Sequence, residues 1–223
     1  MDQSHAIEAT LLAAFSRHLY AFRPDLCPVP ENRDRNARAV QEWRQLAIGQ
    51  HYGLPTRFLD FTTNLLAALF FAVETPPGAA FTSDSAVWCV FAPHRRKVWE
   101  VWQKEDGGGW LTPQQFAEMG SDPPIKHFVD KAFVPEHIDG RIPAQGGVFM
   151  CEPAGKKRNW RLHEMLWEQP STLKIRVPRS ACEPLREQLD LVGINRATLF
   201  PDLASAAGYL AWAVHQRKRP ETI

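Results

Sequence analysis

Apolar positions recur at helical spacing through the first part of the chain. Ile7, Leu11, Leu12, Phe15, Leu19 and Phe22 share one face of a helix predicted over 6–22, which Pro24 ends. Residues 27–33, with Pro28 and Pro30, read as a loop. Asp34 is placed to cap a second helix that turns Ala39, Val40, Trp43, Leu46 and Ala47 inward and Arg35, Arg38, Glu42 and Arg44 to water. Gly53 and Pro55 stop that helix, because glycine tolerates a positive φ just past a helix end and proline has no N–H to continue one. Residues 58–61 predict a short strand. Residues 65–73 are apolar on every face and predict a helix lying wholly inside the protein, with Thr62, Thr63 and Asn64 as the residues able to cap it.

Beyond that helix, 86–91 has no polar residue on either face, the pattern of a central strand, and Pro93 closes it. Residues 94–102 mix Arg95, Arg96 and Lys97 with Val98, Trp99, Val101 and Trp102, which leaves edge strand and helix both open. Gly107 to Gly109 reads as flexible, Thr112-Pro113 opens a short helix ending at Gly120, and 122–140 reads as a long ordered surface loop. A bend at Pro143-Ala144-Gln145-Gly146 precedes a strand over 147–152. Residues 173–177 alternate apolar and charged, so one face is solvated. Ser180 and Glu183 have capping-box spacing before a helix carrying Leu185, Leu189 and Leu191, with Gly193 as its stop. Pro201-Asp202 starts the last helix, and Arg217-Lys218-Arg219 suit the negative end of its dipole as a solvated terminus. Strands and helices without strict alternation or internal repeat predict an α+β fold, a small split or mixed sheet packed by helices.

At 223 residues and 44% hydrophobic content, the chain can bury one substantial core, which predicts a single domain over 1–223. A net charge of +1 gives no long-range field to draw nucleic acid or an acidic membrane. No apolar run reaches the roughly 18 residues a membrane span needs, so the expectation is a soluble protein. Cys27, Cys89, Cys151 and Cys182 are widely spaced, with no C-x-x-C pair and no secretory segment. That usage predicts reduced thiols in a cytoplasmic protein and no structural zinc. The metalloprotease, Walker, Rossmann and nucleophile-elbow motifs do not occur.

The candidate chemistry lies around residues 50–64. His51 follows a helix end whose dipole favours its charged form. Arg57 and Asp60 either pair with other charges or face a pocket, and Thr62 either caps a helix or opens an anion site at its N-terminus. Gln145 is either a turn residue before a strand or a functional amide. The string Gln50-His51-Tyr52-Gly53-Leu54-Pro55-Thr56-Arg57, followed by Leu59-Asp60-Phe61-Thr62 and Ala68-Leu69-Phe70-Phe71-Ala72, resembles the central motif of the FRG domain family. Gln145-Gly146-Gly147-Val148-Phe149, Gly193-Ile194 and the Thr198-Leu199-Phe200-Pro201-Asp202-Leu203 string extend the resemblance from about Ile7 to Leu210.

A strand ending in Thr before a buried helix is also similar to the second motif of ADP-ribosyltransferase folds, which hold NAD in a split sheet. The resemblance implies NAD as substrate, with no other cofactor and no metal, and a nucleotide ligand or macromolecular acceptor as partner. It implies Arg57 and Gln145 as catalytic residues and His51, Tyr52, Asp60 and Thr62 as ligand contacts converging on one cleft. Two departures imply weak or absent turnover. The family's aromatic-Arg-Gly string, which would precede the helix beginning around Glu8, does not occur; Phe22-Arg23-Pro24 is nearest, and turnover at ordinary rates would mean that another arginine, Arg23 or Arg141 the first to test, fills the role. Gln145 stands where a glutamate is usual, and an amide cannot act as a base. The alternative implied is a non-catalytic sensor or interaction module in a bacterial defence or toxin system.

Overall fold

Trp43, Phe58 and Phe149 come from three separate stretches of chain and stack in series, with ring centroids 5.7 Å and 5.2 Å apart. In the computed structural model they lie on α2 (Arg35–His51), β1 (Phe58–Thr62) and β5 (Gly147–Cys151). The structure describes residues 3–27, 35–56, 58–75, 79–90, 109–111, 131–133, 135, 137–151 and 172–217. The chain divides into two compact units: Met1–Phe61 with Val90–Ile138 and Val148–Ser171, and Thr62–Cys89 with Asp139–Gly147 and Thr172–Ile223. Helices with a mixed sheet and a second small sheet make this an α+β protein.

In the first unit, α1 (Gln3–Phe22) gives way at Pro24 to a 3-10 turn, Pro24–Leu26. Leu19, Leu26 and Ile48 form a core with Phe15, Cys27 and Ile138 against it. The predicted stripe of α1 is shorter than its periodicity: Leu12 and Leu19 are buried, while Ile7 and Phe22 at its two ends are exposed. Ser16 ties α1 to α2, its hydroxyl donating to Gln45 Oε1 at 2.9 Å. A four-stranded sheet runs β1-β5-β4-β3, with β3 Gly109–Leu111 and β4 Lys131–Phe133. Strands β3 and β4 pair in parallel, and β4 pairs antiparallel with β5, Phe133 facing Phe149. Both β3 and β4 depart from the sequence expectation, which makes Gly109 flexible and 131–133 loop. Three residues are too few to show a period, so only partner strands define them.

In the second unit, α3 (Leu65–Val73) turns Ala67, Phe70 and Val73 into a core shared with Val177, Cys182, Leu189 and Leu199. The expectation of burial on every face fails. Leu65, Leu66 and Phe71 are exposed, because one layer of packing covers only one stripe of a helix. The second sheet pairs β2 (Ser85–Val90) with β6 (Thr172–Val177) alone among the described residues. The all-apolar segment expected to be central thus has a single neighbour strand among the described residues, and of 86–90 only Val87 is buried. On β6, Leu173 and Ile175 are exposed despite the alternation, and Val177 alone is buried. A short helix, α4 (Arg141–Gln145), replaces the expected bend before β5.

Helix α5 (Arg179–Leu191) begins after Pro178 with no side-chain cap, so Ser180 lies inside its first turn and the expected capping box is not used. Leu191 is exposed at its end, outside the buried stripe of Cys182 and Leu189. Gly193 follows with φ 79, as its stop role requires. The capping box of this region belongs to α6 (Arg196–Leu199), where Asn195 and Thr198 exchange bonds. Asp202 starts α7 (Leu203–Arg217), its carboxylate accepting from the Ser205 N–H at 2.8 Å. Residues 28–34, including Asp34, lie outside the described residues, as do the side chains of Arg35, Arg38, Ala39 and Val40. So do Arg57, Pro93, 94–102, 112–120, most of 122–140, Glu152, Lys218 and Arg219.

Candidate functional site

The motif string folds as a helix stop leading into a strand. At the end of α2, the Gly53 N–H donates to Gln50 O at 3.0 Å and the Leu54 N–H to Gly49 O at 2.8 Å. Those two bonds, with φ 85 at Gly53, are a Schellman closure of the helix, in line with the role expected of the glycine. Leu54 folds back so closely that a Cβ at position 49 would meet its Cδ2 at 2.9 Å, which explains the second glycine.

Gln50 is the hub of the turn and the strand beyond it. Its Nε2 donates to Asp60 Oδ2 at 3.1 Å, and its Oε1 accepts from the Thr56 hydroxyl at 2.6 Å. Thr56 Oγ1 in turn accepts from the Phe58 N–H at 3.1 Å, so one amide links the helix end, the turn and β1. Loss of hydration pushes the Asp60 carboxyl above its usual range, opposed by the Gln50 hydrogen bond and by the nearby charge of His51. Tyr52 meets the His51 ring edge-on at 5.1 Å, and its hydroxyl accepts from Arg23 Nη1 at 3.2 Å. Arg23 also forks onto Asp25, with Nε to Oδ1 at 3.0 Å and Nη2 to Oδ2 at 2.8 Å. That bidentate hydrogen bonding holds the Asp25 carboxyl below the usual range.

The second unit begins at Thr62. Thr62 is not the cap of α3: Asn64 is, its side-chain oxygen accepting from Leu66 N–H at 3.0 Å and Ala67 N–H at 3.4 Å. The Thr62 hydroxyl instead accepts from Asn64 N–H at 2.9 Å and donates to the Gln145 carbonyl oxygen at 2.6 Å. Thr63 N–H donates to Gly146 O at 3.0 Å beside it. Gly146 takes φ 59 to end α4, and a Cβ there would stand 2.9 Å from Thr63 Oγ1. The side chain of Gln145 points elsewhere in the unit, its Nε2 donating to Leu199 O at 3.0 Å. Arg141 is engaged as well, bonding Asp202 Oδ2 at 2.8 Å with its guanidinium 5.8 Å from the Phe200 ring centre.

Of the residues singled out from sequence, the first unit thus joins His51 to Tyr52 and Asp60 to Gln50, while the second joins Thr62 to Gln145. Arg57 lies outside the described residues. Gln50 and Thr56 stand in the motif string itself, but neither titrates, so no chemical signal distinguishes them until the turn brings them together. Arg23 is 29 residues from Tyr52 along the chain and carries no local pattern that pairs them.

The family model described as FRG domain matches residues 5–79, the segment from α1 through α3 and the motif string between. An FRG domain is therefore present in the N-terminal third of the chain. No curated protein and no solved structure matches.

Proposed function

We propose that this FRG-domain protein is a nucleotide-handling relative of the NAD-dependent ADP-ribosyltransferases in which transfer chemistry is marginal. The observation that supports the reading is the 2.6 Å hydrogen bond from the Thr62 hydroxyl to the Gln145 backbone carbonyl, which joins two residues 83 positions apart whose surroundings in sequence resemble the second and third motifs of such enzymes. Transfer from NAD breaks the bond between nicotinamide and the ribose carbon, leaving a cationic sugar that an acceptor oxygen or nitrogen attacks as it loses a proton. Gln145 has no basic group for that proton, and its amide already donates to Leu199 O. Loss of one preorganised group of this kind commonly costs about 10²–10³ in rate.

The test is release of nicotinamide from NAD by the purified full chain. A rate barely above the uncatalysed background is expected, and Gln145→Glu is expected not to rescue it, because a carboxylate there has no proton to give Leu199 O. Turnover at about 1 per second or faster, the ordinary range of enzymes, overturns the reading. His51, Tyr52, Arg57 and Asp60 are the motif side chains to substitute for loss of NAD binding.

A second reading, a non-catalytic sensor or interaction module in a bacterial defence or toxin system, is favoured by one further observation. Gln145 and Arg141 are both held by contacts inside their own unit, to Leu199 and Asp202. Calorimetric titration with NAD separates the two: measurable binding with little turnover supports the first reading, and no binding supports the second.

A further inference from the structure

The second unit contains a cavity of about 440 Å³, lined in part by Phe70, Glu74 and Thr75 from the end of the FRG match. Its volume falls within the usual range for small-molecule sites, about 300–1,000 Å³. Helices α3, α5 and α7 contribute Phe70, Arg186, Tyr209 and Trp212 to its lining. Arg186 is the unusual member. It stands on the buried stripe of α5, four residues after Cys182 and three before Leu189, and is only 9% exposed. Its Nη1 donates to the Thr75 hydroxyl at 3.3 Å, and its guanidinium lies 4.6 Å from the centre of the Trp212 ring.

Among the described residues no carboxylate forms an ion pair with Arg186. Glu183 and Glu74 attract it through space without bonding it; Glu74 is itself bonded to Arg196, and Asp190 accepts from Asn195 at 2.8 Å. A guanidinium has five donors, so this buried cation keeps several to offer. Burial lowers its pKa, a sign that the protein has not fully replaced the water it lost. Trp212 Nε1 is buried behind its ring, with no acceptor among the described residues. A guanidinium with donors to spare, lining a cavity with aromatic walls, matches an acceptor-rich anion on an apolar body. It does not match a cation, because the acids of the lining are already bonded.

We infer that this cavity binds a small organic oxyanion, a carboxylate or phosphate monoester on a flat or apolar body, with the Arg186 guanidinium as its donor and the Trp212 ring as part of its wall. Its binding does not depend on NAD turnover. The full chain, labelled with ¹⁵N at its tryptophans, is titrated with benzoate, phenyl phosphate and the uncharged benzyl alcohol, and the Trp212 indole resonance, assigned by Trp212→Phe, is followed. A saturable shift with benzoate or phenyl phosphate and none with benzyl alcohol is expected, the tighter anion identifying the headgroup.

Arg186→Gln is expected to weaken binding at least about tenfold, as for loss of a charge-assisted hydrogen bond. Gly208→Leu keeps Arg186 and fills space instead. Gly208 lines the cavity, and a Cβ there makes ordinary contact with Arg196 Cδ at 3.6 Å and Nε at 3.7 Å, so a folded variant whose leucine fills the cavity is expected, with binding abolished. No saturable shift with either anion, an equal response to benzyl alcohol, or unchanged affinity in a folded Arg186→Gln variant overturns the inference. Should Arg186→Gln fail to fold, Gly208→Leu decides: anion binding retained in that variant overturns it.

Discussion

Gly146 and Gly53 both take positive φ, 59 and 85, yet the space around them differs. A Cβ at 53 meets nothing within 4 Å, whereas one at 146 would be 2.9 Å from Thr63 Oγ1. Gly53→Ala therefore carries only the left-handed backbone cost of about 1–2 kcal/mol. Gly146→Ala adds a clash beside the Thr62–Gln145 bond and is expected to cost more; urea denaturation of the two variants gives the comparison directly. Two carboxylates set opposite pH dependences. Asp202 is held low, first by the Ser205 N–H and then by Arg141, so its contribution is present above the ordinary carboxylate pKa of about 4 and lost as pH falls through the lowered value. Asp60 is held high by desolvation, so its contribution is fully present at acid pH and lost as pH rises through the raised value. Thermal melts against pH should show Asp202→Asn flattening the acid limb and Asp60→Asn flattening the loss on the way to neutrality.

At the scale of the element, α3 shows how a cap and a stripe divide the work. Three consecutive residues, Thr62, Thr63 and Asn64, all carry a side-chain oxygen able to cap, and the backbone entering from β1 brings only Asn64 to the free N–H groups. Asn64→Ala is expected to cost about 0.5–2 kcal/mol. Thr63→Ala removes a long 3.4 Å contact from an exposed side chain and is expected to change stability little. Equal effects of the two in chemical denaturation would show that the cap is misassigned. In α5, Arg186 interrupts the buried stripe of Cys182 and Leu189 that packs against α3, and its guanidinium lies instead over the Trp212 ring of α7.

Among the described residues, the apolar content exceeds what the cores bury. Leu65, Leu66 and Phe71 of α3 and Leu203 and Leu210 of α7 face solvent, as much of any folded surface does. The stabilising burial is concentrated in a few side chains, among them Phe70 at 2% exposure. Phe70→Ala is expected to cost about 3–5 kcal/mol, a large part of the roughly 5–15 kcal/mol that holds a domain folded. A small shift in the denaturation midpoint would contradict the place given to it in the core. No helix among the described residues is long and apolar enough to cross a membrane.

What the sequence determined by itself are the features whose causes are local. Pro24 ends α1, Gly53 closes α2, Gly193 stands just past α5, and the apolar run after Asn64 is helical, because each depends on φ/ψ limits or hydrogen bonds within a few residues. The FRG string was legible for the same reason: its residues are contiguous. Tertiary structure decided which side of α3 is covered, that 131–133 is a strand, that β2 pairs with β6 alone among the described residues, and that Gln50 links the helix end, the turn and β1. It also decided the hydrogen-bond partners of Thr62 and Gln145, whose bond spans 83 residues of chain. Periodicity states only that a face is apolar. Whether that face is buried, and which polar atom a hydroxyl or amide finds, depends on partners that only long-range packing supplies.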